Sequence, residues 1–277
     1  MADRLLRRRT ARGRASTLVR PLITSHSWHP ATRRASPGNP GRIISAWRDF
    51  LANQTGTSAA PLGIGEPLWP SRSQAELTEC YRHEALLNAA FDGGGSWRLV
   101  CPYDLDDLDD HVIEAARRSH PIVTDERATR INDAYSDDGS AGALDGEFPP
   151  PPPEVREMAF TGEDLGMLRR LLSQWAAEER LASDATDELV LAVNELATNS
   201  VRYGGGSGLL ALWREQSALL CEVRDAGHIA DPLIGRERPM PEEHSGRGIW
   251  LVHQLCDLVQ IRSSPKGTTV RVQKNLA

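Results

Sequence analysis

The sequence predicts an α/β protein: a C-terminal two-layer α/β sandwich, with a mixed sheet covered by helices on one face, preceded by a second, smaller α/β domain. Three observations carry this. Apolar residues recur at a helical period after Thr161 and again after Ser183, whereas GLLALWRE, ALLCEVRD, LVQIRSS and TTVRVQK read as strands. The elements after residue 154 arrive as α-α-β-β-α-β-β, an order that a strictly alternating doubly wound fold would not give. Finally, YSDDGSAGALDGEFPPPPP, residues 135–153, separates the two parts and lacks the apolar content to pack a core.

Residues 1–42 hold ten arginines against one acid, Asp3, and Pro, Ser, Thr and Arg dominate without periodicity. This reads as a disordered basic arm over residues 1–38. The rest of the chain is acidic, with a net charge of −6 overall, which disfavours a nucleic-acid partner for the folded parts. No run of 18 apolar residues offers a membrane span. Cys80, Cys101, Cys221 and Cys256 show neither metal-ligand spacing nor a dense disulfide pattern, so they are expected as free thiols in a reducing cytoplasm.

Residues 39–134 form the first expected domain and 135–153 a linker, whose proline run extends at ~3 Å per residue. The C-terminal domain, residues 154–277, opens with Thr161 and the acidic pair Glu163–Asp164 as a helix start, and Ser183–Asp184 open a second helix. That second helix carries LAVNELATNSVRYGGG. Its apolar stripe runs through Leu189, Ala192, Val193, Leu196 and Ser200, while Glu195 and Asn199 stand one turn apart on another face. Arg202 follows, then three glycines.

Three glycine clusters come later. DAG at 225–227 ends a strand, where a short acid and a glycine permit close backbone approach. SGRG at 245–248 precedes a helix, whose first N–H groups and dipole suit phosphate oxygens, and Arg247 adds a cation. KGTT at 266–269 opens the last strand with two hydroxyls. Lysine occurs only at 266 and 274. A protein-kinase fold needs a lysine on an early strand, and a P-loop needs Gly-Lys-Ser/Thr, so both are excluded.

NELATNSVRYG, DAGHIADP, SGRGIWLV and KGTTVRV resemble the N box, G1 box, G2 box and closing strand of the GHKL ATPases, and most nearly their anti-sigma factor serine kinase branch. The resemblance implies ATP and Mg²⁺ as cofactors, with Asn199 as the Mg²⁺ ligand and Glu195 as the base acting on a hydroxyl or water. It also implies Asp225 as acceptor for the adenine amino group, Gly227 as room for the ring, and Thr268 nearby. Gly246, Arg247 and Gly248 would cradle phosphates, with Arg202 at the edge of the site. One position departs: spore-type members carry arginine just before the Ser-Gly of the G2 box, where this chain has His244, so either transfer is weaker here or Arg247 supplies that charge.

GEPLWPSRSQAELTECYRHEALLNAAF and WRLVCPYDLDDLDDHVIEAARRSHPIV resemble part of the MEDS sensory domain, a RecA-like module, beginning near Asn39 and including GRIISAWRDFLAN. Its opening strands look replaced by the basic arm. Together the resemblances imply an ATP-dependent serine/threonine kinase that phosphorylates an anti-sigma factor antagonist, with a sigma factor and a second copy of the chain as further expected partners. The alternatives are a histidine kinase using His83 of YRHEALLN, and a binding module that holds nucleotide without transfer.

Overall fold

The computed structural model describes residues 15–22, 39–54, 60–65, 68, 72–91, 97–106, 108–124, 128–136, 145–240 and 246–276. Two compact units divide the chain. One comprises residues up to Thr32 and Trp47–Ala143; the other comprises Arg33–Ala46 and Leu144–Ala277.

The first unit contains β1 (Ala15–Leu22), most of α1 (Ile43–Ala52), β2 (Leu62–Ile64), α2 (Gln74–Ala90), β3 (Arg98–Asp104), α3 (Asp110–Ser119), β4 (Ile122–Thr124) and β5 (Thr129–Ile131). Its sheet runs β2-β3-β1-β4-β5, with β2 and β3 parallel and the other pairs antiparallel. The strand β1 corrects the expectation of a disordered arm over residues 1–38, because it is the central strand of this sheet. The rest of that arm lies outside the described residues. ASTLVRPL was missed because Arg20 and Pro21 interrupt any alternation, and its pairing partners lie about 80 to 110 residues downstream. Ser73 starts α2 with a capping box to Glu76, both oxygens of the pair closing on backbone N–H groups.

The second unit holds β6 (Arg156–Thr161), α4 (Leu165–Glu178), α5 (Ser183–Tyr203), β7 (Ser207–Glu215), β8 (Ala218–Asp225), α6 (Arg247–Leu255), β9 (Leu258–Ser264) and β10 (Gly267–Asn275). Thr161 caps the turn before α4, its backbone N–H and hydroxyl both donating to Asp164. The sheet order is β6-β7-β8-β10-β9, and every pair is antiparallel. The expected mixed sheet is therefore corrected to an antiparallel one with a fifth strand. REMAFT escaped sequence reading because it is an edge strand in which only Phe160 is buried.

Helices cover one face. Leu168, Leu172 and Trp175 of α4, Leu189, Val193 and Leu196 of α5, and Val252 of α6 pack on Leu210, Leu212, Leu219, Cys221, Val259 and Val272 of the sheet. Burying each such side chain stabilises by roughly 1.5–3 kcal/mol. The opposite face packs Trp213 and Leu220, and there Glu222, 1% exposed, accepts from Arg271 at 2.8 Å. Phe148 stacks under Arg262 and Arg271, and the Pro149 carbonyl accepts from Arg271. Phe148 and Pro149 thus touch the sheet, within the stretch 135–153 where a spacer is expected.

Asn39 and Arg42 also belong to this unit. Asn39 Nδ2 donates to the carbonyls of His253 and Cys256, and Arg42 donates to those of His253, Gln254 and Cys256. The last carbonyls of α6, which no helical N–H can reach, are satisfied this way. Gly41 lies against the buried His253 ring, so closely that a Cβ there would overlap it. By its contacts the segment 39–46 groups with this unit, whereas the sequence places it in the first domain.

Candidate functional site

The helix α5 organises the site because its apolar stripe faces the core, which turns Glu195 and Asn199 toward the start of α6. Both are half-buried. Among the described residues, neither side chain makes a hydrogen bond. The backbone of Gly248, in the first turn of α6, comes directly over them. A Cβ added there would lie 2.9 Å from Glu195 Oε2 and 3.3 Å from Asn199 Nδ2. Gly246, just before α6, adopts φ +80°, a left-handed conformation that glycine takes without penalty, and a Cβ there would meet open space. Arg247 is exposed at the first turn of α6 and Arg202 at the last turn of α5. Backbone position alone places these two arginines at the site. His244 and Ser245 lie outside the described residues.

One residue beyond Asn199, a second cluster begins. Ser200 is fully buried and donates to Asp225 Oδ2 at 2.6 Å, while the Gly227 N–H donates to Asp225 Oδ1 at 2.8 Å. Each carboxylate oxygen keeps further acceptor capacity. A Cβ at Gly227 would lie 2.8 Å from the Tyr203 carbonyl, and one at Gly204 would overlap the Asp225 side chain. Thr268, paired with Asp225 across β8 and β10, donates its hydroxyl to the Gly227 carbonyl at 2.9 Å. Ser263 stands 2.7 Å from the Thr268 hydroxyl and accepts from the Ile229 N–H.

Glu195, Asn199 and Gly248 form one group, and Asp225, Gly227 and Thr268 another. Consecutive residues of α5 join the two. Ser200, Gly204 and Ser263 were not foreseen as site residues. A serine in the apolar stripe of α5 was a readable signal, since a buried hydroxyl needs a partner. Residues 158–274, which hold every one of these groups, match the model of the histidine kinase-like ATPase domain. That segment is similar to a histidine kinase-like ATPase domain.

A second match covers residues 14–121: the MEDS domain, the methanogen/methylotroph, DcmR sensory domain. Its span begins one residue before β1, so the sensory module does not start near Asn39 as expected. Among solved structures, one match is the RsbU and RsbW domains of Rv1364c from Mycobacterium tuberculosis, at 18% identity and a TM-score of 0.34. The match covers 44% of this chain and 32% of that one, so this chain spans about a third of that structure's length. No curated protein matches. No helix among the described residues is long and apolar enough to cross a membrane.

The alternative phosphoacceptor is placed by α2. His83 is 1% exposed there, which shuts its imidazole away from any nucleotide bound elsewhere.

Proposed function

We propose that the ATPase domain is an ATP-dependent serine/threonine kinase acting on an anti-sigma factor antagonist. The observation that carries this is the approach of Gly248 to Glu195 and Asn199, which joins a carboxylate, a carboxamide and a helix start in one place. The residues present fit a magnesium nucleotide: bare glycine backbone stands where a Cβ would fill the space, and an aligned carboxylate stands at the far end. Mg²⁺ bound with ATP neutralises charge that develops on the transferred phosphoryl group.

The chain's own groups then divide the work. Asn199 holds the cation through its side-chain oxygen, and hard cations prefer such ligands. Glu195 takes the proton from the attacking serine or threonine hydroxyl. Asp225 accepts a hydrogen bond from the adenine amino group, with Gly227 leaving room for the ring and Thr268 holding the Gly227 backbone in place. Gly246, Arg247 and Gly248 receive phosphate oxygens at the start of α6, and Arg202 closes the edge. A sigma factor is the second partner this reading implies.

Burial of His83 counts against the histidine-kinase alternative. The test is to incubate the full chain with γ-labelled ATP, Mg²⁺ and candidate antagonist proteins. Acid-stable phosphate on a partner, lost with Glu195→Ala, is expected. Acid-labile phosphate on this chain would overturn the reading, as would nucleotide binding without any transfer.

A further inference from the structure

The sequence motif Arg-His-Glu on α2 is left without a role by the kinase reading, and the first unit gives its glutamate one. Glu84 from α2, Cys101 from β3 and His120 at the end of α3 converge, each at most 1% exposed, with their donor atoms all within 4.8 Å of one another. His120 Nε2 stands 3.1 Å from Glu84 Oε2. The other ring nitrogen, Nδ1, lies 2.7 Å from the Ala116 carbonyl, which can only accept, so Nδ1 carries the hydrogen. In the neutral imidazole Nε2 then presents a lone pair, and it faces a carboxylate oxygen. Two such groups, out of water, are joined favourably by a proton or by a metal cation.

A proton would serve for the pair alone, but it gives no reason for the thiol. A metal ion uses all three groups. Tetrahedral zinc at about 2.0–2.3 Å from its ligands sets donor-to-donor distances of roughly 3.3–3.8 Å, so donors within 4.8 Å of one another close on an ion with shifts of about an ångström or less. The Ala116 carbonyl also does what outer partners of metal-bound histidines do, fixing ring orientation and tautomer.

We propose that Glu84, Cys101 and His120 form a buried zinc site in the MEDS domain, with the fourth position open to a small oxygen- or sulfur-bearing ligand. Mixed carboxylate, thiolate and imidazole donors suit Zn²⁺ among common divalent ions, and three protein ligands plus one exchangeable position mark sites that handle small molecules. The ion enters as the domain folds, since three separate elements supply its ligands. The proposal stands independently of the kinase reading.

The test uses the full chain produced in zinc-depleted, cobalt-supplemented medium. One cobalt per chain is expected, with d–d absorption of a tetrahedral ion and a thiolate-to-cobalt band in the near ultraviolet. Cys101→Ser should remove the thiolate band, and Cys80→Ser, at a cysteine outside the cluster, should leave it. His120→Ala should weaken zinc binding by about 100-fold or more, at least the upper end of what losing an outer-shell partner costs. Should Cys101→Ser fail to fold, the parent spectrum still decides. Substoichiometric cobalt, or bound cobalt without a thiolate band, would overturn the site and leave a shared proton between His120 and Glu84.

Discussion

At Asp225 the carboxylate is fixed before any ligand arrives, by Ser200 and Gly227, with Thr268 and Ser263 bracing the adjoining backbone. At Glu195 and Asn199, five residues and one residue before Ser200 on α5, the close neighbour is the bare backbone of Gly248. The first arrangement suits a group that recognises one shape of ligand. The second leaves side-chain oxygens available and a helix start within reach. In the proposed kinase, neighbouring positions in the C-terminal half of α5 therefore serve recognition and chemistry, and substitutions should separate the two.

After the Glu195 substitution itself, the largest expected effect is at Gly248. An added methyl meets only the far ends of Glu195 and Asn199, which can swing aside. Gly248→Ala should therefore cost at most about 1 kcal/mol in stability. Displacing the reacting groups by an ångström should slow phosphate transfer about 100-fold. Parallel thermal melts and transfer assays check this, and a fully active Gly248→Ala would break the comparison.

Asp225→Asn should weaken ATP binding next most. The amide presents one acceptor oxygen, yet Ser200 and Gly227 both donate to this side chain. Losing a charged acceptor costs roughly 1.5–3 kcal/mol, so titration calorimetry should show about a 10- to 100-fold rise in Kd. Gly227→Ala sharpens the contrast with Gly248, because its methyl would press on the rigid Tyr203 carbonyl. It should cost about 1–3 kcal/mol in stability, read as a lower denaturation midpoint.

Much of this site was legible in the sequence because its signals are local. Helical periodicity placed Glu195 and Asn199 together, and glycines marked where backbone must come close. What stayed hidden depends on distant partners. Asn39 and Arg42 reach the end of α6 more than 200 residues away, and nothing in NPGR announces that. The antiparallel pairing of the second sheet, the central place of β1 and the packing of Phe148 on Arg271 are likewise long-range facts. Ser200 was visible but counted as part of an apolar stripe, because period alone does not reveal which stripe residue carries a hydrogen bond.

The smallest effect concerns acid. Burial, then the charges of Arg236 and Arg42, hold the His253 imidazole well below its usual 6.5, so it stays neutral in the fold. The unfolded chain takes up that proton as pH falls below 6.5, which lowers stability on acidification by up to about 1.4 kcal/mol per pH unit. Unfolding midpoints between pH 7 and 5 should fall more steeply for the parent than for His253→Asn. Equal slopes would mean His253 gains its proton without cost.

The division between recognition and chemistry is tested most directly by titrating MgATP into Glu195→Ala and Asn199→Ala while measuring transfer with both. Glu195→Ala should bind ATP nearly as the parent does and transfer phosphate about 10²–10⁴-fold more slowly. Asn199→Ala should lose MgATP binding itself. Two variants that bind and transfer like the parent would contradict the account, since a solvated surface pair changes stability by no more than about 0.5 kcal/mol and leaves binding untouched.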